Sequence, residues 1–280
     1  MNSVDPRRIL VMGCSRSGTT LLQSLFASHS GVHTFPETGL FLKAFGMRGW
    51  VLPWARLGLS LGKERGALAR LLPSTGGATG PLPSLPPYHP RLSRSLEASA
   101  DFLDGLAAAN GKKAWVEKTP RHVFHARRIG RVVPGVSCVH IIRRGEDVVA
   151  SIVDRAKRYP DRFPRQADPG YGIRQWNRSM KATADAVEDP GHIVVAYESL
   201  VEAVEPTMRA VCDAVDLEYE VGMASPGDPS SFTHASEEWK SQVNSPVKRA
   251  PSKFETLFDH ETRSRVKGGL ETSLHLALSK

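Results

Sequence analysis

Cysteine is scarce in this 280-residue chain. Cys14, Cys138 and Cys212 are odd in number and far apart, which excludes a disulfide framework and any CxxC metal motif and points to a reducing compartment. Long apolar runs are missing as well. The opening MNSVDPRRILVMGC holds two arginines and only a short apolar stretch, too little for a signal peptide or a spanning helix, so a cytoplasmic protein is expected. Aromatic residues make up 7% of the chain, and none is interleaved with the basic run Arg127, Arg128 and Arg131. Without a binding motif beside it, that run reads as a solvated face, and no nucleic-acid partner is expected. Internal repeats and heptads are absent, and no shift in composition divides the chain, so one domain over residues 1–280 is expected. Oligomeric state leaves no trace.

What is present is positive charge and a regular alternation. With 37 Lys and Arg against 29 Asp and Glu, the formal charge is +8, which suits an anionic ligand, a nucleic acid or an acidic membrane surface. Ile9 to Met12 is a short apolar run, followed by a glycine loop and then Leu21, Leu22, Leu25 and Phe26 at helical spacing. The pattern returns three times. Ala114–Val116 precedes a helical pattern over His122–Val133, Val136–Ile142 precedes one over Glu146–Lys157, and Ile193–Ala196 precedes one from Leu200. Strands alternating with helices predict an α/β fold, a P-loop-like three-layer sandwich with a mostly parallel central sheet.

Other stretches read differently. Residues 73–90 carry six prolines and three glycines and predict an irregular loop or lid. Residues 218–252 are also loop-like, and a C-terminal helix is expected from about Phe254 to Leu278. Trp50, Trp54 and the leucines through Leu72 are expected in the core; glycines at 58, 62 and 66 weaken the alternative of peripheral membrane contact. His122 and His125 stand at i and i+3 without a third ligand, so they are expected on a helix surface, and no metal is expected.

The loop GCSRSGTT, Gly13–Thr20, joins the first strand to the first helix. Such a turn aims backbone N–H groups and the positive end of a helix at one spot, where an anion belongs. A nucleotide hydrolase has lysine where this chain has Thr19, and no acidic residue follows Ile141-Ile142. Metal-assisted hydrolysis of a triphosphate is therefore disfavoured, and a nucleotide kinase or NTPase is the second reading. A non-catalytic polyanion-binding module is the third.

Four further segments accompany the loop. HIIRRGEDVVASIVDR places Ser151 eight residues beyond Arg143; VHTFPETGLF carries Glu37; AWVEKTPRHVF carries Lys118; and WKSQVNSPVKRAPSKF carries Ser252 and Lys253. With SRSGTTLLQSL and the IVVAYESL strand, these resemble the sulfotransferases that use 3′-phosphoadenosine 5′-phosphosulfate, in the form common in bacterial, carbohydrate and tyrosylprotein members. The resemblance covers residues 9–37, 113–155, 192–201 and 239–254. It implies that Arg16, Ser17, Gly18, Thr19 and Thr20 hold the 5′-phosphosulfate, and that Arg143 and Ser151 hold the 3′-phosphate. Arg144 competes with Arg143 for that role. Ser252 and Lys253 are implied as further 3′-phosphate contacts, with Lys248 and Arg249 as substitutes of the same charge. The resemblance also implies that Glu37 is the general base, His33 being the reserve, and that Lys118 and Arg16 stabilise the transferred group and the leaving phosphate. Phe35, Leu40 and Phe41 are expected to give Glu37 an apolar setting. The implied acceptor is a hydroxyl on a glycan, a lipid, a small alcohol or a tyrosyl group, with direct transfer and no required metal.

Overall fold

A computed structural model of the chain describes residues 6–46, 51–72, 80–227, 247 and 252–279. Five strands, β1 Arg7–Gly13, β2 Val32–Phe35, β3 Ala114–Lys118, β4 Val136–Ile142 and β5 His192–Ala196, form one parallel sheet in the order β2-β3-β1-β4-β5. The helices are α1 Thr19–Ala27, α2 Leu40–Phe45, α3 Val51–Arg56, α4 Arg65–Ala69, α5 Leu92–Ala109, α6 Ala126–Val132, α7 Gly145–Arg158, α8 Pro169–Ala186, α9 Tyr197–Glu202, α10 Val204–Ala214, α11 Phe254–Leu257, α12 His260–Gly269 and α13 Thr272–Leu278.

Strand β1 explains the layering. Its side chains alternate: Leu10 and Met12 join one core cluster with Phe35, Trp115 and the leucines of α5, while Ile9 and Val11 join another with Leu22, Leu25 and Phe26 of α1. All four are fully buried, the condition of a central parallel strand covered on both faces. A third cluster gathers Val148, Val149 and Ile152 of α7, Trp176 of α8 and Val266 of α12.

Topology then fixes where a ligand can sit. The chain leaves β1 toward β3 and β2 on one side, then crosses to β4 and β5 on the other, so the switch point lies at the carboxyl end of β1. Register aligns the ends there: Val11 is level with Lys118, Gly13 with Ile141, Phe35 with Glu117, and Ile142 with Ala196.

Some local expectations are corrected. Strand β2 was hidden from the sequence by its four-residue length and its central polar pair His33-Thr34. The helix expected over His122–Val133 is a 3-10 segment from Pro120 to His125 followed by α6. Three residues per turn eclipse His122 and His125, and His122 is turned fully inward rather than onto a surface. The C-terminal helix is three, because the Asp259 carboxylate caps a new start by accepting from Thr262 N at 2.8 Å and α12 ends at Gly268-Gly269. Of the stretch 73–90, residues 80–90 are irregular and tied down: Tyr88 donates to the Ser60 carbonyl at 2.9 Å and Arg65 Nε to that of Pro86 at 3.0 Å. Residues 73–79 lie outside the described residues. Trp54, Leu57 and Leu59 are exposed, against the expected core, whereas Ala55, Leu68 and Leu71 are buried. Trp50 falls outside the description. No helix of the described residues is long and apolar enough to cross a membrane.

Candidate active site

The glycine loop is shaped by two close approaches. A Cβ at Gly13 would strike the Ile141 carbonyl of neighbouring β4, and one at Gly18, where φ is +101°, would come within 2.5 Å of the Tyr197 ring. Between them Arg16 takes a left-handed conformation with φ 76°, uncommon for a residue with a side chain. Ser17 N donates to the Cys14 carbonyl at 3.1 Å and closes the turn. Gly18 caps α1 with no side-chain bond, so the first N–H groups of that helix stay open to a ligand.

Around this loop the structure collects cations. Arg16 Nε donates to Ser151 Oγ on α7 at 3.0 Å, and Arg143 Nη1 stands 3.5 Å from the Arg16 carbonyl. The Arg143 guanidinium lies 4.2 Å over the Tyr197 ring, and its Nε is buried without a partner among the described residues, as is Ser17 Oγ. Burial, and then the charges of Arg155 and Arg143, pull the Arg16 pKa down to about 10; Asp154 offsets only part of this. Like charges crowded around orphaned donors fit an anion. Arg144 is exposed and its N–H donates to Glu198 at 3.0 Å, so Arg143 is the arginine that faces the loop. The Tyr197-Glu198 pair thus braces both the loop and the end of β4.

Glu37 and Lys118 meet as an ion pair, the lysine side chain 1% exposed and the carboxylate 31%. Strand β3 places Lys118 at its end, but its meeting with Glu37, beyond β2, depends on contacts between the two segments. Glu117, missed as a site residue in the sequence, is fully buried and ties the two segments together. Its Oε1 accepts from Thr38 N at 3.0 Å, Thr38 Oγ1 at 2.8 Å and Thr119 Oγ1 at 2.6 Å, and Thr119 Oγ1 accepts from Gly39 N at 3.1 Å. His122 Nδ1 lies 3.2 Å from Glu117 Oε2. Burial by itself would raise the Glu117 pKa, but His122 and the hydrogen bonds outweigh it and hold the group below the usual carboxylate range. The available signal was an acid inside an apolar strand, which is stable only when satisfied.

Beside Glu37 opens a cavity of about 260 Å³ lined by Ser15, Arg16, Thr20, Glu37, Arg121, Ile152, Arg155, Phe163, Gln166, Tyr171 and Gln175. The residues expected to give Glu37 an apolar setting do not line this cavity: Phe35, Leu40 and Phe41 belong to the core, and the wall beside Glu37 mixes arginines with Ile152, Phe163 and Tyr171. Glu37 also stands outside a helix start, since α2 begins at Leu40 with Gly39 as its cap. His33, the reserve base, does not line the cavity, and burial, followed by the charge of Lys112, lowers its pKa to about 4. Lys253 Nζ pairs with Asp154 at 2.6 Å, which brings it to the helix that carries Ser151. Ser252 is exposed and its Oγ accepts from Phe254 N at 3.2 Å. Lys248 and Arg249 lie outside the described residues. No group of three or more metal-ligating side chains occurs among the described residues.

A parallel sheet flanked by helices, with a glycine turn after its central strand and arginines gathered past the strand ends, defines a P-loop-like α/β protein. A model of the sulfotransferase family matches residues 6–221, and the chain belongs to that family. Its fold is similar to the sulfotransferase domain of the curacin biosynthetic pathway, at 15% identity over 94% of this chain and 96% of that one, with a TM-score of 0.60. The sulfotransferase domain of the Synechococcus PCC 7002 olefin synthase aligns at 14% identity over 96% of both chains, again with a TM-score of 0.60. A sulfotransferase of Mycobacterium tuberculosis H37Rv aligns at 17% identity over 96% of this chain and 78% of its own, with a TM-score of 0.51. No curated protein sequence matches the chain.

Proposed function

We propose that this sulfotransferase takes the sulfuryl group from 3′-phosphoadenosine 5′-phosphosulfate and passes it to a hydroxyl by direct in-line transfer. The observation that carries the reading is the contact of Arg16 Nε with Ser151 Oγ, with Arg143 beside them. The 3′- and 5′-phosphates of such a nucleotide hang from one ribose, so their holders must adjoin. The buried, unpartnered Ser17 Oγ and Arg143 Nε support an anion at that spot.

In this reading the open N–H groups of the loop, with Arg16, Thr19 and Thr20, hold the 5′ end, and Arg143 and Ser151 hold the 3′-phosphate. Lys253 reaches the same site when it exchanges Asp154 for the phosphate. The donor supplies a sulfuryl group on a phosphate leaving group. In this reading Lys118 has two partners in turn. In the structure it neutralises Glu37; a phosphate on the loop competes for the ammonium and leaves Glu37 free to accept the acceptor's proton. Lys118 and Arg16 then face the negative charge that grows on the bridging oxygen.

The reading is tested by thermal unfolding with 3′-phosphoadenosine 5′-phosphate, ADP, or ATP with magnesium. At a hundredfold excess over Kd the first raises Tm by about 5 °C or more. Equal shifts from ADP or from ATP with magnesium would overturn it.

A further inference from the structure

The cavity beside Glu37 carries more positive charge than the transfer itself uses. Arg16, Arg121 and Arg155 line it against one carboxylate, Glu37, which already pairs with Lys118. Arg16 belongs to the loop, which leaves two. Arg155 lies one turn beyond Ser151 on α7; its guanidinium sits 4.3 Å over the Phe163 ring and donates to Gln166 Oε1 at 2.7 Å. Its Nε is buried with no hydrogen-bond partner among the described residues, Glu37 is the carboxylate that acts on its charge, and Arg121 is exposed. Burial is the main influence on Arg155 and pulls its pKa below the ordinary arginine range, against the opposing pull of Tyr171 and of Glu37, the carboxylate it shares with Lys118. A buried donor of this kind is satisfied by an anion, and a planar guanidinium matches a carboxylate through parallel hydrogen bonds.

We propose that the acceptor is a hydroxy acid whose hydroxyl meets Glu37 while its carboxylate rests on Arg155, with Arg121 adding charge on the solvent side. The proposal rests on the sulfuryl-transfer reading and names the substrate class of that site. Phe163, Tyr171 and Ile152 flank the space between the two ends, so a ring or a short chain joins them. In the transfer, the acceptor oxygen bonds to sulfur as the bond from sulfur to the 5′-phosphate oxygen breaks. The hydroxyl proton goes to Glu37, and the carboxylate is unchanged.

Calorimetric titration tests this in two stages. The protein is first saturated with 3′-phosphoadenosine 5′-phosphate, then titrated with 4-hydroxyphenylacetate or galacturonate, each set against its methyl ester. At least one acid binds about tenfold or more tightly than its ester. Arg155→Gln removes that preference while the nucleotide still binds, which also reports that the variant is folded; Arg155→Lys retains part of it. Arg121→Gln, at an exposed position, weakens it without touching the core. The proposal is overturned if neither acid binds, if the esters bind as well, or if the preference survives both glutamine variants. Binding of the acids only to nucleotide-free protein also overturns it, because the anion then occupies the phosphosulfate site. Failure of the nucleotide to bind in the first stage is a separate outcome that sinks the sulfuryl-transfer reading, and the hydroxy-acid proposal falls with it.

Discussion

A lysine side chain 1% exposed beside a carboxylate 31% exposed is an unequal pair: the ammonium cannot turn to water, whereas Glu37 can reach the cavity. The asymmetry separates their proposed roles, because the buried partner stays and the accessible one meets the acceptor. Glu37→Gln should lower kcat by about a hundredfold or more with nucleotide affinity nearly intact, since the proton acceptor is lost. Lys118→Ala should cost about as much in kcat and also loosen Glu37, so its pH profile differs from that of Glu37→Gln. Arg143→Ala acts elsewhere, weakening 3′-phosphoadenosine 5′-phosphate by about tenfold to a hundredfold through loss of a charge-assisted contact, as a direct binding titration would register. Near-normal turnover by Glu37→Gln removes the base; unchanged nucleotide binding by Arg143→Ala removes the 3′-phosphate holder.

At the scale of elements, the loop between β1 and α1 is held from outside by α9. Gly18 lacks the Cβ that would strike Tyr197, and its φ of +101° disfavours any side chain even where there is room. Gly18→Ala should therefore lower both Tm and nucleotide affinity, and adding Tyr197→Ala should relieve the clash but not the backbone strain of about 1–2 kcal/mol. A double variant as stable as Tyr197→Ala alone would show that the clash was everything. Four of the five strands, this loop and the residues at or just past the ends of β1, β3 and β4 were legible in the sequence because each is local: a hydrophobic run, a break, and a polar residue at a fixed offset. Strand β2 was too short and polar to register. Glu117 and Arg155 were illegible for another reason, since their importance arises from Thr38 at one site and from Gln166 and Phe163 at the other, contacts that exist only after the chain has crossed the sheet. Lys118 could be placed by its strand, but the clasp that sets its partner required the fold.

Across the whole molecule, burial has been extended to groups that titrate near neutrality. His140, on β4, is fully buried; its Nε2 lies 2.9 Å from His192 Nδ1 and its Nδ1 3.2 Å from Thr183 Oγ1. Burial first, then His192, lowers its pKa to about 3, against about 6.5 for an unfolded histidine. The unfolded chain therefore takes up a proton that the folded one refuses, and folding stability falls as pH drops from about 6.5 toward 3, with a slope of up to about 1.4 kcal/mol per pH unit from this residue. His33 and His125, each lowered to about 4 mainly by burial, act in the same direction. Glu117 and Asp189, held below the usual carboxylate range, extend the loss to lower pH. Urea unfolding at pH 7, 6 and 5 should give steadily lower midpoints, and His140→Gln should flatten the decline even though it lowers stability at pH 7. A midpoint independent of pH across that window, or an equal slope in His140→Gln, would show that His140 is not among the groups the fold keeps neutral.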